Sequence, residues 1–540
     1  MEYRGKKVSD GIAIGKIFVY HKWDEAAHRK ASGDAETEIA RFVMAGEIAE
    51  KQLKALYEKA KAEAGEESAA IFQAHLTLIS DKELRKHVED LIRDKGISAE
   101  EAIAEDGDHY LKMLISSQDE LLRSRGADIK DVSRRLIRIL KGEDGHGNLP
   151  GDPVILFAEE LLPSELMQLG SSRVLSVVTR YGSPYSHTSI LARAMHIPVL
   201  TGVELPRDAD GRTAVVDGNE GILLLDPDER QLSEYAKKQE EDGRQEKAYR
   251  ELIGKKSVTL DGKELPVYAN IGSVSEVSEV LSCDAEGIGL LRSEFLFSEA
   301  SDYPGEEEQY RIYKEVAEEM GGRQLVIRTL DIGADKQANY FHIREEDNPM
   351  MGYRGIRVSL DRPDIFKPQL RAIYRAAWFG QISVLFPMIS SLEEVYRIKE
   401  ILKEVKDELT AEKIPFKEVG IGLMIETPAA VMMAEELARE VDFFSIGSND
   451  LTQYTLAVDR QNGALEKTYR PHHPAVLKMI RTTVENGHKG GVQVGICGEL
   501  AGDPTMTETF LRMGVDAFSV SPSKVLMLRD VIRRIDLRKD

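Results

Sequence analysis

Two rhythms of apolar spacing divide this chain. Residues 8–20, Val-Ser-Asp-Gly-Ile-Ala-Ile-Gly-Lys-Ile-Phe-Val-Tyr, place apolar residues around glycines and predict one or two strands. From about 33 to 141, apolar positions recur at helical spacing, as at Ile71-Phe72, His75-Leu76 and Leu78-Ile79. Ala, Glu, Lys and Leu dominate there and proline is absent, which predicts four helices paired as hairpins. The Gly-, Asn- and Pro-rich stretch 143–152 reads as a loop. Strand runs return at 153–157, 174–179, 198–200, 213–216 and 222–225. With strand texture on both sides, the helical segment 33–141 is expected to be an insertion into a small α/β domain made of 1–32 and 142–226. Residues 227–252 are almost all charged or helix-forming, so 227–256 is expected to be a linker built on a long solvated helix.

After residue 258 short apolar runs occur near 267–270, 287–291, 325–330, 382–386, 420–425, 442–446, 492–497 and 516–520, with helical segments such as 391–408 and 428–440 between them. Eight strands alternating with helices predict a (β/α)8 barrel over 257–540. A doubly wound open sheet would give the same count. The barrel is favoured because Arg292, Arg328, Glu426, Asn449, Asp450 and Cys497 sit at or just past the C-terminal ends of these runs, where a barrel would bring them together.

Length and charge narrow the function. A chain of 540 residues suggests three or four domains, and 42% hydrophobic residues can fill their cores. Lys+Arg 72 against Asp+Glu 93 leaves a net charge of −21, which argues against nucleic-acid binding and suits a basic partner or local positive pockets. Two cysteines, Cys283 and Cys497, fit a reducing compartment. The N-terminus has no apolar signal core, and no run approaches the roughly 20 residues of a membrane span. The expectation is a cytoplasmic chain with no membrane contact.

The candidate chemistry lies in a few segments. His187 stands between Ser186 and Thr188-Ser189 at the start of a helical pattern, where backbone N–H groups and hydroxyls could hold a phosphoryl group. An arbitrary histidine in that setting more often only bonds locally. Glu426 and Asp450 are candidate ligands for Mg2+, which takes one or two carboxylates; the alternative is a pair of acids bonded to arginines. Arg292, Arg328, Arg354 and Arg460 offer guanidinium forks for a small acidic ligand, although most arginines form surface ion pairs. On spacing alone Cys497 reads as a small buried hydrophobe rather than a general acid. His75, His472 and His473 show no metal-binding spacing and read as structural.

Several segments together carry a family resemblance: Ser186-His187-Thr188-Ser189, Leu291-Arg292-Ser293-Glu294-Phe295-Leu296-Phe297, Arg328-Thr329-Leu330-Asp331-Ile332-Gly333, Phe386-Pro387-Met388, Met424-Ile425-Glu426-Thr427-Pro428-Ala429-Ala430, Phe443 to Tyr454, and Gly495-Ile496-Cys497-Gly498-Glu499. Over nearly its whole length the chain resembles enzyme I of the bacterial phosphoenolpyruvate:sugar phosphotransferase system. The resemblance implies a swivelling phosphohistidine α/β domain with an inserted four-helix domain that binds the carrier protein HPr, a linker helix acting as hinge, and a (β/α)8 barrel that binds phosphoenolpyruvate and pairs two chains into a homodimer. It implies that His187 takes the phosphoryl group, releasing pyruvate, and passes it to HPr. Arg292, Arg328, Arg354, Asn449 and Arg460 would hold the substrate, and Glu426 and Asp450 would bind Mg2+. Cys497 would protonate the enolate, which reverses the reading from spacing. Glu66 to His75 resembles the HPr-binding surface, although Ile71 and Phe72 could equally be bundle core.

Some features depart from the family. Ser183-Pro184-Tyr185 replaces a more usual Gly-Arg-Thr, Leu166 stands where threonine is common, and the chain stops soon after the eighth run. Phosphate stabilisation at His187, the last helix and part of the dimer contact are therefore expected to differ. A dikinase or phosphoenolpyruvate synthase would need a nucleotide-binding domain, for which 540 residues leave no room and no Walker loop appears. A degenerate sensor would be expected to have lost His187, a metal carboxylate or Cys497.

Overall fold

The computed structural model describes the chain outside residues 21–33, 116–119, 143–150, 171–172, 183–185, 196, 207, 299, 301, 334–339, 342, 345, 461, 463–464, 466 and 540. It forms two compact units, Met1–Gln245 and Glu246–Asp540.

The first unit is built on strands β1 (Glu2–Arg4), β2 (Lys6–Ser9), β3 (Ile12–Tyr20), β4 (Val154–Ala158), β5 (Val174–Thr179), β6 (Val199–Thr201), β7 (Thr213–Asp217) and β8 (Ile222–Leu225), in the sheet order β1-β8-β7-β3-β4-β5-β6-β2. β3 and β4 pair in parallel from Lys16–Val154 to Tyr20–Ala158, and four helices lie between them in sequence. These are α1 (Ala35–Ser80), α2 (Lys82–Lys95), α3 (Ala99–Ile115) and α4 (Glu120–Lys141). Both faces of β4 are covered. Val154, Leu156 and Ala158 share a core with the helices, while Ile155 and Phe157 pack with Ile17, Val178 and Leu223. A strand buried on both sides reads as a continuous apolar run, which is why 153–157 stood out without alternation.

Local signals divide the helices. Asp34 caps α1 by accepting the Thr37 N–H at 2.9 Å. Asp81 accepts from the N–H groups of Glu83 and Leu84, starting α2 directly after α1, and Gly96 ends α2 at φ +64°. Residues 8–20 hold the end of β2 and all of β3, and a further strand, β1, precedes them; β1 and β2 pair antiparallel with β8 and β6. Two short helices complete the unit, α5 (Pro163–Leu169) and α6 (His187–Ala194). The charged stretch forms α7 (Glu229–Arg250), which buries no side chain and carries exposed ion pairs such as Arg250–Glu246.

The second unit is a closed barrel of eight parallel strands, β9 (Val267–Ile271), β10 (Gly287–Arg292), β11 (Gln324–Arg328), β12 (Gln381–Phe386), β13 (Gly420–Ile425), β14 (Phe443–Gly447), β15 (Gln493–Cys497) and β16 (Ala517–Val520), with β16 pairing back onto β9. Closure rules out the open sheet. Strand periodicity then sets where the chemistry falls. Leu290, Val326, Leu385, Met424 and Cys497 form a small cluster separate from the shell between strands and helices. Arg292, Arg328 and Glu426 each follow a member of that cluster by two residues, so they continue the same face to the C-terminal mouth.

Candidate active site

At the barrel mouth, Arg292 and Arg328 are register partners on β10 and β11. Two acids separate their charges. Arg328 pairs with Glu294 at 3.0 Å and with Asp331 at 3.0 Å. Burial opposes its charge, but these acids more than offset that and raise its pKa. Arg354 grips the same Asp331 with two nitrogens, at 2.9 and 3.3 Å. The backbone beside it is Gly355 at φ +58°, where a Cβ would come within 3.0 Å of Asp331 Oδ1. Arg292 differs: it is exposed and makes no hydrogen bond or ion pair among the described residues.

The acids occupy the next strand ends. Glu426 is fully buried and accepts the Met388 N–H at 2.7 Å. Met388 sits at φ +61°, a strained conformation for a residue with a side chain, and that geometry aims its N–H at the carboxylate. Burial, then the charges of Asp450 and Asp331, push the Glu426 carboxyl above the usual carboxylate range. Asn449 and Asp450 lie in the first turn of the helix Ser448–Leu456, directly after β14. Asp450 is 3.8 Å from Arg354 and 3.7 Å from Arg460, and its buried Oδ1 has no hydrogen bond among the described residues. The arginines instead pair closely with Asp331 and Glu294, and only loosely with Asp450. Asn449 Oδ1 accepts the Glu499 N–H at 3.0 Å.

Cys497 ends β15, 2% exposed, with its thiol 3.3 Å from the Ile446 carbonyl oxygen. Burial pushes the thiol up to about 11, so it stays protonated at neutral pH. The residue belongs to the inner apolar cluster, as spacing alone predicted.

The histidine lies in the first unit. Ser186 caps α6, accepting the Ser189 N–H at 3.2 Å, and His187 is the first helical residue. The Thr188 hydroxyl, expected to be available to a phosphoryl group, donates to the Leu161 carbonyl at 2.7 Å. His187 Nδ1 is 3.0 Å from Asp128 Oδ1 on α4. That bond raises the His187 pKa although burial works against it. Asp128 is itself held down to about 2: burial opposes its charge, but hydrogen bonds from His187 and His75 outweigh this. With Nδ1–H donated to a carboxylate, Nε2 keeps the lone pair of the neutral ring.

By sequence His75 reads as structural. It is fully buried on α1, and its Nε2 lies 3.1 Å from the same Asp128 oxygen. Ile71 and Phe72 are also buried, which places these apolar residues in the bundle core rather than on a docking surface. Leu166 is buried in the same core, and Ser183-Pro184-Tyr185 lies outside the described residues. Asp128, Asp331, Glu294 and Met388 were not singled out as site residues from sequence. Glu294 and Asp331 do follow Arg292 and Arg328 by two and three residues within the quoted motifs.

Models of PEP-utilising enzymes match this chain in three segments: the N-terminal model over residues 4–125, the mobile domain over 150–221 and the PEP-binding domain over 246–537. A phosphoenolpyruvate-protein phosphotransferase of Priestia megaterium is 38% identical over 538 residues, covering 99% of this chain and 94% of the relative. The chain belongs to the phosphoenolpyruvate-protein phosphotransferase family. Another relative of that description, from Latilactobacillus sakei, is 39% identical with the same coverage. A third, from Listeria monocytogenes, is 38% identical over 539 residues. The family matches the resemblance drawn from the motifs. No helix among the described residues is long and apolar enough to cross a membrane.

Proposed function

We propose that this enzyme transfers the phosphoryl group of phosphoenolpyruvate to Nε2 of His187, releases pyruvate, and passes the group to a histidine of the carrier protein HPr. The observation that carries the reading is the barrel mouth, where Arg292, Arg328 and Arg354 converge with Glu426, Asp450 and the protonated thiol of Cys497. In this reading the exposed Arg292 takes the substrate anion, with Arg328, Arg354, Arg460 and Asn449 completing the cradle. Nε2 attacks phosphorus, the bond to the enol oxygen breaks, and the enolate takes a proton at its methylene carbon from Cys497 Sγ. Ketone formation then makes the phosphoryl transfer favourable.

Two clustered carboxylates, one with an oxygen lacking any hydrogen bond, fit a hard divalent cation such as Mg2+. Bound by Glu426 and Asp450, it would neutralise phosphate charge. Among the described residues no group of three or more His, Cys, Asp or Glu side chains is arranged to hold a metal ion, so substrate and water oxygens would complete the shell around the two carboxylates.

His187 and the barrel belong to different compact units, so the reaction requires them to meet, and α7 is the element proposed to act as hinge. The α/β sheet is read as the phosphohistidine domain and the α1–α4 helices as the HPr-binding domain. A homodimer through the barrel is supported by its exposed Trp378, Tyr396 and Met432. Cytoplasmic location follows from this reading. Pyruvate release tests the whole scheme. One pyruvate per chain is expected without HPr, and continuous release with it; a His187→Ala variant that still turns over would refute the proposal.

A further inference from the structure

The sequence offers no reason for a histidine at position 75, yet the structure gives it an unusual setting. Its side chain is fully buried and its ring meets Phe72 edge-on, a place where a phenylalanine or leucine would pack without penalty. Its Nδ1 has no hydrogen-bond partner among the described residues, a state that costs a buried polar atom stability. What the imidazole does that an apolar side chain could not is direct Nε2–H at Asp128 Oδ1, 3.1 Å away. The same oxygen receives Nδ1–H of His187 at 3.0 Å. Two imidazoles from different elements, α1 and α6, thus share one carboxylate oxygen on α4.

We infer that His75 is a positioning residue for phosphoryl transfer, which acts through Asp128 to set the proton affinity of His187 and to keep Asp128 solvated when His187 departs. This rests on the reading of His187 as the phosphoryl acceptor. The logic is electrostatic. A carboxylate oxygen that already accepts one N–H attracts a second proton-bearing ring less strongly. His75 therefore moderates the pull of Asp128 on the His187 imidazolium, a form whose Nε2 is protonated and cannot attack phosphorus. When His187 leaves to meet its partners, an Asp128 without His75 would be a lone charge in the bundle, at a cost of several kcal/mol. With His75 it keeps one charge-assisted hydrogen bond, so His187 can be released.

Several other charged groups on the packed elements are engaged away from His187, Arg135 on α4 among them, donating to Gln52. On α4, Asp131 bonds Ser164 and Lys130 pairs with Glu160; on α5, Glu165 pairs with Arg138; on α1, Lys59 donates to the Met167 carbonyl. Asp128 is the group credited with raising the His187 pKa.

The test uses the full chain with 15N-labelled histidine. NMR titration reports the His187 midpoint and tautomer, and rapid-quench assays give the pH profile of His187 phosphorylation from phosphoenolpyruvate. His75→Phe is expected to move the His187 midpoint and the acid limb of the rate profile to higher pH together, slowing phosphorylation at neutral pH and leaving the alkaline plateau. His75→Gln, which retains an N–H donor and is the safer variant for folding, is expected to restore both toward wild type. A folded His75→Phe protein whose midpoint stays put or moves down would overturn the inference, as would a His75→Gln protein that shifts as far as His75→Phe. If wild type acquires no phosphoryl group on His187, the functional reading itself fails, and the NMR midpoint still reports on the His75–Asp128–His187 linkage.

Discussion

Replacing Asp128 with asparagine keeps the side chain's size and one acceptor oxygen but removes its charge. In the native protein this carboxyl is 4% exposed and held at about 2 rather than its ordinary 3.8. That displacement corresponds to about 2 kcal/mol of preference for the charged form. The linkage has two edges. Asp128, whose pKa is depressed, contributes stability above 3.8 that is lost as pH falls through about 2. His187, whose pKa is raised, contributes below 6.5 and loses its share as pH rises through its folded value. The Asp128–His187 hydrogen bond contributes to both shifts, with His75 adding to that of Asp128, and it is fully present between 3.8 and 6.5. In Asp128→Asn, burial is left acting alone on His187, so its midpoint is expected to fall. The ring also loses the fixed Nδ1–H tautomer and the countercharge for the cation that develops as the N–P bond forms. Losing a charge-assisted hydrogen bond of about 1.5–3 kcal/mol predicts phosphorylation slower by roughly 10- to 160-fold, even where the ring is neutral. Rapid-quench measurement of phosphohistidine from labelled phosphoenolpyruvate, over about pH 5–9, with NMR titration of His187, reads both effects. A midpoint that rises or stays, or a rate within twofold of wild type, would refute the reasoning.

Other consequences follow from the barrel. Cys497→Ala removes the proposed proton donor and should slow pyruvate release by about 10²–10⁴-fold in a lactate-dehydrogenase-coupled assay while leaving substrate binding within a few-fold; unchanged release would dismiss the thiol. Gly498→Ala forces a Cβ to 2.3 Å from Ser448 Oγ and 3.0 Å from Asn449 Oδ1 at φ +93°, so kcat/KM should drop at least tenfold. Chelation with EDTA should abolish phosphorylation reversibly, with Mg2+ restoring wild type but not Glu426→Gln; full activity of that variant would exclude the carboxylate as a ligand. Arg529 is 1% exposed and pairs with the half-buried Asp284 at 3.0 Å, so Arg529→Met removes a charge-assisted hydrogen bond and should destabilise the barrel by about 1.5–3 kcal/mol in urea unfolding.

How legible each part was follows from the range of the interactions involved. Barrel strands are apolar runs and the candidate residues lie at their ends, Arg292 and Arg328 as the last residues of β10 and β11 and Glu426 and Asp450 one and three positions after β13 and β14, so they could be found by reading along the chain. The helical segment was legible because apolar residues recur at helical spacing over 33–141 with no proline to interrupt them. The partners of His187 were not legible. Asp128 lies 59 residues away on another element, and His75 reaches it across 53 more, with no sequence pattern linking them. The positive φ of Met388 that supplies an N–H to Glu426 was equally hidden, because only the folded barrel imposes it. Burial of Ile71 and Phe72 depended on which face of α1 meets the sheet and the other helices, a choice that periodicity alone leaves open.

The most direct test of the central claim is to incubate the protein with Mg2+ and either phosphoenolpyruvate or ATP, then map acid-labile phosphate by mass spectrometry. The account predicts a single phosphohistidine at His187 from phosphoenolpyruvate alone, discharged on addition of HPr. Label from ATP, or phosphate on any residue but His187, would contradict it.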